Sequence, residues 1–441
     1  MKIWWAKAAA VARKEAQMDD LRRDDFGPFD MMDPEVIQHP APYYAQLRKY
    51  APIYKLPRSP APGRDVYFVS GYDIIRNEVL PNWRVFSNRF AELMGRGPTE
   101  DPEIAAIRGR GYEQVPTMLT EDPPAQRKYR ALVNPAFTLA RVEGMGPYIT
   151  EIVDQLIDHF AEKGEADFLA EFSVPLPIYV IADQIGVPRA DLPQVKAWAD
   201  AGIAGIGRMK GREAEVRSAE ARVEMQQYLV RIIDQRRIEP RDDIISQLLA
   251  ARFDGERPLT VEEILSILQQ LMVAGHETTT NALGGGLVYI LRHPGAAADF
   301  AAHPEKLPNA VEEILRLEAS TKGMWRIVTE DTVLAGVPIK AGSALFLSYD
   351  AANRDETHFE NGDACVFDRP NAKAHLTFGA GTHACVGATL SRKQMVIAYE
   401  RLFQRLPNLR LTEGRNEFHY LESILHRGFT QLHISFDPVI R

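Results

Sequence analysis

At 441 residues, 45% hydrophobic and 25% charged, the chain has a globular composition and can bury a large core, and length alone suggests roughly two to four domains. A formal net charge of −8 argues against nonspecific binding to nucleic acid or an anionic membrane, since both reward a basic surface. The cysteines Cys365 and Cys385 form no CxxC pair, which argues against a structural zinc cluster and suits a reducing, cytoplasmic setting, while a disulfide between them stays open.

The opening MKIWWAKAAAVARKEAQ has no uncharged apolar run longer than AAAVA, far short of the ~20 residues a membrane span needs, and no signal-peptide core. It reads as a surface helix or a tail ordered on contact, with membrane association as the alternative. DVYFVS, 65–70, follows the turn-rich PRSPAPGR and reads as a strand. Helical patterns cover 148–161 and 219–237. The longest covers 260–291: Thr260 and Glu263 stand in capping-box spacing, Ile264, Leu268 and Leu271 form an apolar stripe, and His293-Pro294-Gly295 ends it. At 1.5 Å per residue it would be roughly 48 Å long, so it must be central. From 329 to 347, short apolar runs alternate with turns at Gly336-Val337-Pro338 and Ala341-Gly342, which predicts a small sheet. The expected class is mainly α with a small β component.

Near the C-terminus, FGAGTHACVG (378–387) isolates Cys385 among glycines. Gly379, Gly381 and Gly387 permit positive φ and the close approach of a planar partner. Met395, Tyr399, Leu402 and Leu406 follow at helical spacing, so Cys385 sits at a helix N-terminus, where free N–H groups favour a thiolate. The alternatives are a buried structural cysteine, or a nucleophile with His383 as base, for which no Asn or Asp orienter is visible.

The pattern F-G-x-G-x-H-x-C-x-G, carried by Phe378, Gly379, Gly381, His383, Cys385 and Gly387, resembles the haem-ligand signature of the cytochrome P-450 monooxygenases, in their bacterial soluble type related to the camphor-hydroxylating branch. Further matches run in order from about residue 40. The resemblance implies an N-terminal extension over 1–35 and a single haem domain over 36–441, which overrides the estimate from length. It implies the cytochrome P-450 fold, mainly α with a small β subdomain, and haem b (iron protoporphyrin IX) between the long central helix and the cysteine-loop helix. Cys385 would be the axial thiolate, with Phe378, Gly379 and Gly387 against the cofactor. In AGHETTTN, Ala274 and Gly275 would leave room for a ligand, and Glu277 with Thr278 matches the family's proton-relaying acid–alcohol pair. The local alternative is that Thr278 bonds back to a carbonyl one turn earlier. His276 reads as a non-catalytic neighbour. Glu313 and Arg316 match the E-x-x-R element, with Arg369 as its third member. Arg130, Arg326 and His375 would meet the haem propionates, and Gln126 stands where many relatives have histidine.

Nothing resembles a flavin or nicotinamide site, so electrons are expected from a small acidic iron–sulfur ferredoxin with a separate NAD(P)H-dependent reductase. Arg127, Lys128, Arg392 and Lys393 would form its basic docking spot. The substrate pocket is expected to be apolar and built from the loop 90–118, Val273 and Gln270 on the long helix, Met324 and Trp325, and Phe429-Thr430, with Tyr112 matching a substrate-holding tyrosine of the camphor branch. The expected protein is a monomeric, O2-dependent hydroxylase of a hydrophobic small molecule, with no membrane span and no nucleic-acid partner. A peroxide-driven peroxygenase and a haem-based sensor are the competing readings.

Overall fold

In the computed structural model, residues 29–61, 63–94, 99–204 and 211–439 are described. The helices that matter most are α1 (Ala125–Val133), α2 (Gly146–Phe160), α3 (Pro175–Ile185), α4 (Gly211–Ile238), α5 (Val261–Arg292), α6 (Leu307–Leu317) and α7 (Ala388–Arg405). The 32-residue α5 packs against α3, α4, α6 and α7, so the elements around the site are all referred to it. Its predicted start is real. Thr260 Oγ1 accepts from the Glu263 N–H at 3.2 Å, and Glu263 Oε2 accepts from the Thr260 N–H at 2.8 Å. Arg257 and the Tyr129 hydroxyl, each at 2.7 Å, fix the same carboxylate.

Midway along α5, Gly284-Gly285-Gly286 each forgo about 1 kcal/mol of helix propensity relative to alanine. The reason is tertiary. A Cβ at Gly284 would stand 2.7 Å from Leu169 Cδ2, one at Gly285 2.8 Å from Glu318 Cγ, and one at Gly286 would overlap the Tyr399 hydroxyl of α7. The glycines thus let three neighbours reach the central backbone, and Tyr399 Oη donates to the Leu283 carbonyl at 3.0 Å. Elsewhere the predicted helices are found with shifted ends. The pattern at 148–161 becomes Gly146–Phe160, and that at 219–237 extends back to Gly211, whose φ of 75° starts α4.

One five-stranded sheet flanks the helices: β1 (Ile53–Lys55), β2 (Val66–Val69), β3 (Phe86–Ser87), β4 (Gly323–Val328) and β5 (Ala344–Ser348), in the order β1-β2-β5-β4-β3. The β2–β5 pair is parallel and the others are antiparallel. DVYFVS supplies β2, and the stretch from 329 supplies β5 and the hairpin of Thr332–Leu334 with Val337–Ile339, whose turn is Ala335 and Gly336 at φ 43° and 83°. The sheet also includes β4, upstream of the predicted stretch. Both faces of β4 are largely covered, so GMWRIV lacks the polar–apolar alternation that marks a half-buried strand.

Within the extension expected over 1–35, Phe29 and Met31 are buried in the core, with Phe29 edge-on to Phe68 at 4.9 Å. The tryptophan pair at 4–5 lies outside the described residues. Among the described residues, no helix is long and apolar enough to cross a membrane.

Glu263 carries the N-terminus of α5, and its carboxyl is held down to about 2, chiefly by Arg257, against an ordinary value of 4.5. A depressed folded-state value means that its stabilisation is present above the unfolded value and lost as pH falls from about 4.5 towards 2. Denaturant unfolding across that window should show a steep loss in the parent protein and a shallower one in Glu263→Gln.

Candidate active site

Between α5, α6, β4 and the loop that carries Cys385 lies a cavity enclosing about 1500 Å³ of empty space, its mouth included. Cys385 lines it. The sulfur lies deep in the fold yet is exposed, because what it faces is the cavity. The loop is pinned by the Cys385 N–H donating to the Phe378 carbonyl at 2.8 Å and the Gly379 N–H to the Leu376 carbonyl at 2.7 Å. Gly379 and Gly381 take φ of 62° and 67°, as the sequence led one to expect. Gly387 does not: at φ −86° it caps α7, and a Cβ there would meet nothing. Burial pushes the thiol's pKa up. The Gly387 N–H, Arg130 of α1, Arg392 and the Ala388 N–H oppose it. A bound cation would complete that pull, since a coordinating thiol is deprotonated. Both cysteines are free thiols, which removes the disulfide option. Cys365 is pushed up to about 12 by burial and by Glu313.

A second feature of the cavity is positive charge without a matching anion among the described residues. Arg130 and Arg326 both line it. Arg326 is 3% exposed and has no ion pair among the described residues; it donates to the Trp325 carbonyl at 2.7 Å, and burial lowers its pKa. Arg130 donates to the Ala384 carbonyl. His383 joins them with its Nε2 buried and unpartnered, its pKa driven down to about 3 by burial and then by Arg326 and Arg130. A buried cation without a partner is costly, so the two arginines fit a ligand that brings its own carboxylates, with the neutral His383 ring as a hydrogen-bonding group beside them. His375, expected here, is elsewhere. Its Nε2 lies 3.0 Å from Glu312 Oε2 and its Nδ1 accepts the Thr377 N–H at 3.2 Å, so both ring nitrogens are engaged outside the cavity. His383, weighed only as a base, takes that place; its position in the cysteine loop was the available signal.

Glu313, Arg316 and Arg369 do come together, all buried. Arg316 meets both Glu313 oxygens at 2.8 Å and donates to the carbonyls of Asn353, Gly362 and Ala364. Arg369 Nε lies 3.0 Å from both Glu313 oxygens, and Glu313 also accepts the Val366 N–H at 2.9 Å. The cluster thereby ties α6 to the segment leading into the cysteine loop.

On α5, Val273, Ala274, Thr278 and Gln270 line the cavity, the last accepting from Thr117 Oγ1 at 3.3 Å. Thr278 Oγ1 donates to the Ala274 carbonyl at 3.0 Å, which is the local alternative raised above. Glu277, one residue and about 100° round the helix, lines a second cavity instead. Gly275 gives room not to a ligand but to Ile181 of α3, which a Cβ would approach at 2.8 Å.

Of the other substrate candidates, Met324 lines the first cavity. Trp325, its neighbour on β4, faces the other way and packs edge-on to Phe346 at 5.0 Å. Phe429 stacks on Tyr420 at 4.5 Å and, with Thr430, borders the second cavity. Tyr112 does not line the first cavity; its backbone is bound at both ends by the Gln226 amide, 3.0 Å each. The loop 90–118 contributes Met94 and Met118, while its residues 95–98 lie outside the described set. Asn88, Ser320, Thr321 and His426 were missed, because no pattern in sequence marks a polar residue brought in from a loop. His276, read as a bystander, is buried with its Nδ1 3.0 Å from the Met272 carbonyl.

The expected basic spot is locally neutralised. Lys128 pairs with Asp254 at 2.6 Å, Arg392 with Glu312 at 2.7 Å and Lys393 with Glu143 at 2.6 Å, leaving Arg127 exposed and without an ion pair among the described residues.

The cytochrome P450 family model matches residues 208–300 and 304–419. Cytochrome P450 107B1 of Saccharopolyspora erythraea is 34% identical over 394 residues, covering 88% of this chain and 93% of its own. The biotin biosynthesis cytochrome P450 of Bacillus subtilis is 33% identical over 406 residues, covering 91% and 98%. Among solved structures, P450BioI in complex with an acyl carrier protein ligated to hexadec-9Z-enoic acid superposes with a TM-score of 0.81 at 31% identity, covering 92% of this chain and 99% of that one.

Removing one partner from a buried charge cluster costs about 3–5 kcal/mol. Arg369→Leu should therefore lower stability by that order in thermal or denaturant unfolding, whereas Arg127→Leu, at an exposed position, should change it by less than about 0.5 kcal/mol.

Proposed function

The chain belongs to the cytochrome P450 family, whose members bind haem through a cysteine thiolate, and from that premise we propose that Cys385 would hold the haem iron of an enzyme that hydroxylates a hydrophobic small molecule with electrons from a ferredoxin. The observation that carries the assignment is the set of groups around one cavity: a lone sulfur at the start of α7, Arg130 and Arg326 without an ion pair among the described residues, and His383 beside them with its Nε2 unpartnered among the same residues. Those three would hold the propionates, with Phe378 and Gly379 along the macrocycle and Ala274 leaving space on the α5 side. Haem bound there supplies O2 activation and the transfer of one oxygen atom into a C–H bond, using two electrons and two protons.

The protein's own part is shape, charge and protons. The apolar wall formed by Leu271, Val273, Met118 and Met324 excludes water and orients an apolar ligand, while Gln270 offers it one hydrogen-bonding group. The Thr278 hydroxyl sits on the cavity face of α5 and can turn from the Ala274 carbonyl to hold a proton donor in the cavity. Arg127 marks the face where an acidic ferredoxin docks, with Lys128, Arg392 and Lys393 available once their ion pairs exchange partners.

Ligands that displace haem-bound water are found by their shift of the Soret band, and product analysis with a ferredoxin system then tests hydroxylation. In Thr278→Ala, product per electron pair should fall about tenfold while reductant is still consumed, the loss expected for a positioned proton donor. Undiminished yield would remove that role. Ferredoxin-dependent reduction should slow steeply with added salt, and more weakly so in Arg127→Glu. Salt-insensitive reduction would remove the docking site.

A further inference from the structure

Two buried atoms without a hydrogen-bond partner among the described residues face each other in the wall between the two cavities. Glu277 Oε2 and His426 Nδ1 are 3.9 Å apart, with side-chain exposures of 13% and 15%, and neither has a hydrogen bond. Glu277 borders the outer cavity, about 2930 Å³ of empty space with its opening, whose rim includes Arg189, Lys196 and Asp200. His426 borders the inner cavity that holds Cys385 and Thr278. An acid and a base thus span the wall, one on each side.

The position of His426 is built. Its backbone bridges to Thr321, and its N–H donates to Ser423 Oγ at 3.0 Å. Arg427, next in the chain, points to Glu318 at 3.1 Å under the Tyr420 ring and so does not compete for Glu277. Gly428 lets this loop touch α5: a Cβ there would overlap the Asn281 side-chain amide. Thr278 and Glu277 face different cavities, so the acid and the alcohol need a link.

We propose that His426 is that link, and that protons reach the inner cavity from the outer one through Glu277 and then His426. The inference rests on the monooxygenase reading. Glu277 takes a proton from water in the outer cavity and passes it to His426 Nδ1, closing the gap by about 1 Å to a normal hydrogen bond. The imidazolium releases a proton from its other nitrogen to water in the inner cavity, and tautomer exchange restores the pair. Each passage moves one proton and no electron. Two passages supply the two protons that accompany the two ferredoxin electrons when O2 and a C–H bond become an alcohol and water.

The test compares the haem-loaded parent with His426→Phe, which keeps an aromatic ring but removes both nitrogens, with Glu277→Gln, and with the double variant. Dioxygen and a plant-type 2Fe–2S ferredoxin with its NADPH reductase serve as probes. Electron entry is read separately, under carbon monoxide, as the rate at which the reduced complex forms. Both single variants should keep that rate, should consume reductant under dioxygen about tenfold more slowly with a larger solvent deuterium effect, and should not add in the double variant. A crystal structure of the parent should show Glu277 and His426 joined directly or through one water. His426→Phe consuming reductant at the parent rate in both H2O and D2O overturns the proposal and leaves the monooxygenase reading intact. Additive losses, or a loss of the same size in the carbon monoxide experiment, also overturn it. A parent that forms no carbon monoxide complex overturns the monooxygenase reading itself.

Discussion

A sulfur anion inside a protein is unstable unless something pulls on its charge, and the arrangement around Cys385 follows from that constraint. Burial raises the thiol's pKa, and four groups oppose it: the Gly387 and Ala388 N–H groups at the start of α7, Arg392 on α7 and Arg130 on α1. A helix end offers only partial charge, worth about 0.3–1 kcal/mol, so it poises the sulfur without ionising it. Bound iron would complete the pull. Two glycines at positive φ, Gly379 and Gly381, bend the loop so that the sulfur faces the cavity.

Holding that loop is the task of the buried ions. Glu313 on α6 receives Arg316 and Arg369, and its lone pairs also take the Val366 N–H, so one carboxylate organises the chain from 353 to 369. Such a cluster adds little net stability over apolar packing, but it tolerates few alternative arrangements, because any unpaired member would be a buried charge. Across the cavity, α5 is located by the glycine triplet that admits Leu169, Glu318 and Tyr399, and by its capped start at Thr260. The cofactor space is therefore bounded by two rigid walls, each with its own physical anchor.

How much of this was legible in the sequence depended on whether a feature is local. The capping box, the turns at Gly336 and Gly342, and the glycine-framed cysteine are set by neighbours a few residues apart, and they were found where expected. The E-x-x-R pair is local too, although its burial is not. What failed was the direction of single side chains set by distant contacts. His375 and His383 stand eight positions apart on one loop; Glu312 and the Thr377 N–H engage the ring of His375, while that of His383 lines the cavity. Met324 and Trp325 are separated by the strand pleat, and Gly275 by the proximity of Ile181. Tyr112 and Phe429 were carried by the resemblance alone, and their packing against Gln226 and Tyr420 places both away from the first cavity. His426 had no signal in sequence, since its meaning lies in its distance from Glu277.

The central claim is that residue 385 donates its sulfur to iron, and the reduced carbon monoxide spectrum tests it most directly. The purified, haem-loaded protein should give the red-shifted Soret band of a thiolate-ligated complex, and Cys385→Ser should bind less haem and lose that band. A serine variant whose spectrum matches the parent's, or a parent that takes up no haem at all, would contradict the account.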